Sequence, residues 1–158
     1  MKPLEIHYKG KVLHAKMEIL DKGFGFTDIR LSSKNGMSIY IFRKERNEWK
    51  CAYGTLADDL EVAVIDALIL RFDPNVIWVF WWRGKRQVVE VSFPAGGGSF
   101  HININRFFKA IILYDKITKE FQYHYHNPSW LKDRHMDMIV EHIKAGKVRI
   151  PEGFSPFK

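Results

Sequence analysis

The chain has 158 residues, of which 46% are hydrophobic and 15% aromatic, so a folded core is expected and disorder is excluded. Its 25 Lys and Arg against 18 Asp and Glu leave a net charge of +7 with histidines neutral, which favours acidic partners. A single cysteine, Cys51, excludes an intramolecular disulfide framework and a cysteine-ligated zinc site.

The first residues, MKPLEIHYKG, lead directly into a strand with no apolar targeting segment. Residues 56–72 form the longest apolar helical stretch but carry Asp58, Asp59, Glu61, Asp66 and Arg71, so no membrane span is expected. A reduced, cytoplasmic protein is the simplest expectation, although a form cut from a longer precursor would read the same.

Residues 4–9 and 11–20 read as two strands around a Lys9-Gly10-Lys11 turn, the second alternating Leu13, Ala15, Met17 and Ile19 with His14, Lys16 and Glu18. Gly23-Phe24-Gly25-Phe26 opens a third strand, and the alternation slips near Asp28, which predicts a bulge there. A polar turn at 32–36 precedes a hairpin of strands 38–46 and 48–53. The first helix is expected over 56–72, with Thr55 as N-cap, Asp58 at the capping-box position and Asp73-Pro74-Asn75 as its stop. Its apolar residues cover most of the circumference, which predicts burial.

Residues 76–82, Val-Ile-Trp-Val-Phe-Trp-Trp, hold no polar side chain, so this strand is expected at the centre of a sheet with both faces covered. A turn at Arg83-Gly84-Lys85 leads to a strand over 87–93, and 94–99 form a glycine-rich loop. Residues 100–105 and 107–114 read as one long bent strand, and a turn at 115–119 leads into 120–126. The last helix is expected from Asn127 as N-cap and Pro128 at its first position to about residue 145, closed by Gly146. The tail, 151–158, reads as an extended surface segment. The fold class is therefore α+β in a single domain, 1–158: curved, mostly antiparallel sheets with two helices packed on one face. The strands-then-helix order occurs twice, in halves 1–75 and 76–158.

The charge is uneven between those halves. Residues 1–75 hold 12 Lys/Arg and 11 Asp/Glu, a net of +1, and residues 76–158 hold 13 and 7, a net of +6. The densest cluster, Trp81-Trp82-Arg83-Gly84-Lys85-Arg86, sets three cations around a glycine turn beside two indoles. Such cations can neutralise phosphates, and aromatic rings can stack on unpaired bases. Trp82, Arg83, Lys85, Arg86, Arg106 and Lys109 are the expected nucleic-acid contacts. Lys144, Lys147 and Arg149 form a further cluster at the end of the last helix. The plainer reading is a basic hairpin tip that serves solubility, with the tryptophans in the core.

Two strands carry polar triplets, His101/Asn103/Asn105 and Gln122/His124/His126, which strand alternation sends to one side. If the chain folds back at 115–119, both line one sheet surface. His101, His124 and His126 are the candidate catalytic residues, as general acid and base for RNA cleavage through the 2′-hydroxyl. His124 and His126 with His101 could instead hold zinc through nitrogen, although no metal or other cofactor is the primary expectation. The plain alternative is a solvent-facing strand side. Carboxylates are nearly absent around these strands, which argues against a magnesium-dependent nuclease. His135 and His142, seven residues apart on the last helix, read as core-edge histidines.

His124-Tyr125-His126 resembles the histidine–hydrophobic–histidine motif of rolling-circle single-strand endonucleases, which implies a tyrosine nucleophile on a helix; neither expected helix has one. His126-Asn127 before a helix bearing His142 is similar to histidine–asparagine–histidine nucleases, with too short an intervening loop. The leading functional expectation is a small basic protein that binds a polyanion, RNA or single-stranded DNA, through its C-terminal half. A histidine-dependent ribonuclease or phosphodiesterase and a non-catalytic module that inhibits or docks an acidic protein partner, of bacterial or phage origin, are the alternatives. No membrane partner is expected.

Overall fold

A computed structural model describes residues 1–21, 27–93, 99–126 and 130–145. The chain divides into two compact units, Met1–Asp73 and Pro74–Lys158. Each is a five-stranded antiparallel meander followed by a helix, so the fold is α+β with the strands-then-helix order twice over.

The first unit runs β1 (Leu4–Tyr8), β2 (Lys11–Asp21), β3 (Thr27–Ser32), β4 (Ile39–Glu45), β5 (Glu48–Tyr53) and α1 (Asp58–Phe72). Its strands lie in chain order, yet α1 packs against both β1 and β5, the two edges. Four interstrand spacings of ~4.8 Å would put the edges of a flat sheet nearly 20 Å apart, about twice the width of a helix. The sheet must therefore curl around α1. Ile6, Met17, Ile29, Leu31, Phe42 and Trp49 fill the concave side against Val64 and Leu68 of the helix. Asp28, 1% exposed, is held by two hydrogen bonds from Arg43 at 2.8 and 3.0 Å on the facing strand.

The second unit runs β6 (Val76–Trp82), β7 (Lys85–Ser92), β8 (Ser99–Ile104), β9 (Phe107–Asp115), β10 (Glu120–Tyr125) and α2 (Asp133–Lys144). Its core gathers Val89, Val91, Phe100, Ile102, Ile104, Ala110 and Ile112 beneath Met136, Ile139, Val140 and Ile143 of α2.

Several expectations are corrected. β6 is an edge strand rather than a central one, because its all-apolar sequence is satisfied by the α2 side chains on one face and needs no second neighbouring strand. The expected bulge near Asp28 is absent, since β2 and β3 pair without a shift; the shifts lie in β4–β5, β6–β7 and β8–β9. α1 begins at Asp58, not after Thr55, and Ala57 caps it without a side-chain hydrogen bond. α2 begins at Asp133 rather than at Pro128, with the N-cap Lys132 in extended backbone and Leu131 buried in the core just ahead of it. The third-strand opening at 23–26, the glycine-rich loop at 94–98, the caps Asn127, Pro128 and Gly146, and the tail lie outside the described residues.

Residues 100–114 form a hairpin rather than one bent strand, turning at Asn105-Arg106 with φ of 51° and 69°. Two successive positive φ values make the type I′ turn that suits the twist of paired strands, and Asn is among the few residues that tolerate it. Asn105 also donates its side-chain amide to the Arg86 carbonyl at 3.1 Å and accepts from the Val88 N–H at 2.9 Å, tying the turn to β7. Asn105→Ala should therefore cost about 2–3 kcal/mol, the sum of left-handed strain and lost hydrogen bonds. Asn105→Gly relieves the strain alone and should recover only part of that loss in urea unfolding.

Candidate nucleic-acid interface

In a meander, alternate turns leave the same end of the sheet. The β6–β7 turn, Arg83-Gly84, and the β8–β9 turn, Asn105-Arg106, therefore share one end, and the Asn105 bonds to β7 join them. Lys85 and Arg86 open β7 at that end, and Lys109 lies at the matching level of β9, where its carbonyl accepts the His126 N–H at 2.9 Å. The topology thus brings Arg83, Lys85, Arg86, Arg106 and Lys109 to one end of the second sheet. Lys144, by contrast, sits at the end of α2 beside Glu141, 3.6 Å away, and Lys147 and Arg149 lie outside the described residues.

The two indoles of the cluster part company. Trp82 faces α2, with its ring stacked on Trp130 at 5.5 Å and edge-on to His135 at 5.4 Å, under the Arg83 and Arg134 guanidinium groups. It is a half-buried packing residue of the helix-covered face. Trp81 points the other way, 44% exposed, with the Arg86 guanidinium 5.1 Å from its ring centroid.

The face bearing Trp81 is the one turned away from α2. Val79, Arg86, Val88, Glu90, His101, Asn103, Ile111, His124 and His126 are all half-buried or exposed. The register sets His101 opposite Ile111 and Ile111 opposite His124. Both polar strands thus lie on one surface, separated by β9. Asn105 is not on that surface, because the turn has taken it.

Phe108 completes the surface, and sequence reasoning missed it. Ala110, Ile112 and Tyr114 alternate toward α2, so strict alternation would send Phe108 there too. Ile102 pairs with Ala110 but Asn103 pairs with Phe108, so Lys109 is an extra residue on β9. That bulge turns Phe108 to the face away from α2. Its ring lies between His101, at 5.3 Å, and His126, at 4.9 Å. Only the slip of pattern around Lys109 hinted at this.

The arrangement suits stacking better than acid–base chemistry. Phe108 stands between the His101 and His126 imidazoles, and His124, on β10, is separated from His101 by the whole of β9. Among the described residues, no three His, Cys, Asp or Glu side chains stand close enough to hold a metal ion, which corrects the zinc reading of His101, His124 and His126.

Behind this face, α2 is moored by polar contacts. Tyr123 donates its hydroxyl to Asp137 at 2.6 Å and Tyr125 to Asp133. Burial and these carboxylates push both phenols well above their ordinary range, so they remain donors. Engaging Asp133 and Asp137 also draws two carboxylates of α2 toward the sheet.

His135, 6% exposed, accepts the Lys132 N–H on Nδ1 at 2.9 Å and so satisfies one backbone donor at the start of α2. Burial lowers its pKa, and so does the neighbouring Arg134 charge. An Nδ1 that accepts a hydrogen bond must also be unprotonated. His142, stacked on Trp78 at 5.3 Å, is lowered by burial as well. A pKa depressed on folding means that stability is complete above the unfolded value of about 6.5 and is lost as the pH falls toward the folded values. Urea unfolding should show this loss on acidification, and His135→Gln with His142→Gln should flatten it.

Comparison with known proteins finds no matching family model, no matching curated protein and no matching solved structure.

Proposed function

We propose that the second unit binds single-stranded nucleic acid, RNA or DNA, with the phosphates at its basic end and the bases against the sheet face turned away from α2. The observation that carries this reading is the convergence of Arg83, Lys85, Arg86, Arg106 and Lys109 on one end of a sheet whose face away from α2 bears Trp81 and the His101–Phe108–His126 row. Cations alone would bind any polyanion; the rings add a preference for unpaired bases, whose faces are accessible only outside a duplex. Glu90, opposite Asn103 on the same face, opposes a continuous phosphate track across the middle of the sheet. The strand's backbone is therefore assigned to the turn-bearing end.

The test is fluorescence anisotropy with a labelled oligouridine over a series of salt concentrations. Five phosphate contacts on a single strand predict a slope of log K on log salt of about −3.5, and each cation replaced by alanine should reduce its magnitude by about 0.7. Trp81→Ala and Phe108→Ala should each weaken binding by about 1–3 kcal/mol while leaving the slope unchanged. A flat salt response, or no binding at low salt, overturns the reading.

A further inference from the structure

We propose that the first unit carries a separate small-molecule site, a cavity under its curled sheet that takes an uncharged, mostly apolar ligand of the size of an alkylphenol. The cavity measures ≈ 230 Å³ and lies between the concave face of β1–β4 and the first turns of α1. Ile6, Leu31, Phe42 and Val64 form its floor and are themselves buried, so the space reaches into the core rather than resting on the surface. Native interiors pack to crystal density with few voids larger than a water molecule. A ligand seated there would gain dispersion contacts with the apolar side chains that line it.

Size and charge narrow the occupant. The volume exceeds the roughly 150 Å³ of an engineered apolar cavity in another protein that admits benzene, and falls below the roughly 300–1,000 Å³ of drug-sized sites. A single ring with a short alkyl chain fits between those limits. The lining holds no Lys, Arg, Asp or Glu, and its His14 stands 3.8 Å from Glu5. Asp58, Asp59 and Glu61 crowd the first turn of α1, whose Leu60 flanks the cavity together with Leu56 just ahead of the helix, and so oppose an anionic ligand.

The rim is polar. Ser33 donates to the Asn35 side chain at 2.6 Å and accepts from the Ser38 N–H at 3.2 Å, which fixes the β3–β4 turn beside the opening. Tyr40 is set by Gly54, where an added Cβ would fall 2.5 Å from its ring and where φ is +94°. Ser32, Ser33, Ser38 and Tyr40 line this side of the cavity, where a ligand's single polar group would lie. Leu13, 40% exposed, leaves an apolar side chain at the entrance.

The experiment titrates the full chain with 4-butylphenol and follows the leucine methyl signals by NMR. Saturable shifts at Leu13, Leu31, Leu56 and Leu60, with a raised melting temperature, are the expected result. Ala15→Leu and Val64→Phe each fill the space from a different element and should weaken binding by about tenfold or more, which is about 1.4 kcal/mol. The anion 4-butylbenzoate should bind about tenfold more weakly than the phenol on the same scale. Absence of saturable shifts in the unaltered chain, unchanged affinity in a folded filled variant, or equal binding of the benzoate would overturn the proposal.

Discussion

The second unit depends on one constraint, that a strand sends alternate side chains to opposite faces while one helix can cover only one of them. α2 takes the face of Trp78, Phe80 and Trp82, where Trp130, His135 and His142 interleave with those rings. The other side of the same strand is turned away from α2, and with it Trp81. Aromatic packing on the covered side therefore defines the opposite side. The polar anchors Tyr123–Asp137 and Tyr125–Asp133 hold α2 to the far edge strand, so the helix spans from β6 to β10 and the division of faces holds across the sheet.

Departures from regular structure position the candidate site. The one-residue bulge at Lys109 reverses the facing of Phe108, and the type I′ turn removes Asn105 from the strand pattern and binds it to β7. Hairpin turns also place cations. Lys9, Arg46, Arg83 and Arg106 each sit at a positive-φ position of a two-residue turn, although such positions favour Gly or Asn. Each carries its charge beyond the last hydrogen-bonded pair. In the second unit two of these turns share an end, which concentrates the field; in the first, the turns at Lys9 and Arg46 leave opposite ends of the meander, and Lys9 stands 3.6 Å from Asp59.

The first unit applies the same packing rule differently. α1 meets both edges of its sheet, so the strands curl and the concave side becomes a core. A helix seated in a curved sheet fills the middle of the curve more fully than the end where its first turn enters. That end, near Leu56 and Leu60, is where the cavity lies.

Strand alternation in β1, β2, β7 and β10, the hairpin turns at Lys9-Gly10 and Arg83-Gly84, and the α+β class were legible from residue order, because periodicity and turn chemistry are local properties. The gathering of five cations at one end was not. It required knowing that β7, β8 and β9 are neighbours, and nothing local distinguishes an edge strand from a central one when both are apolar. The sequence alone determined which residues could form strands, helices and turns, and how charge divides along the chain. Tertiary structure decided which face each side chain occupies, because one bulge in β9 and the docking of α2 reverse or cover faces that no local pattern encodes.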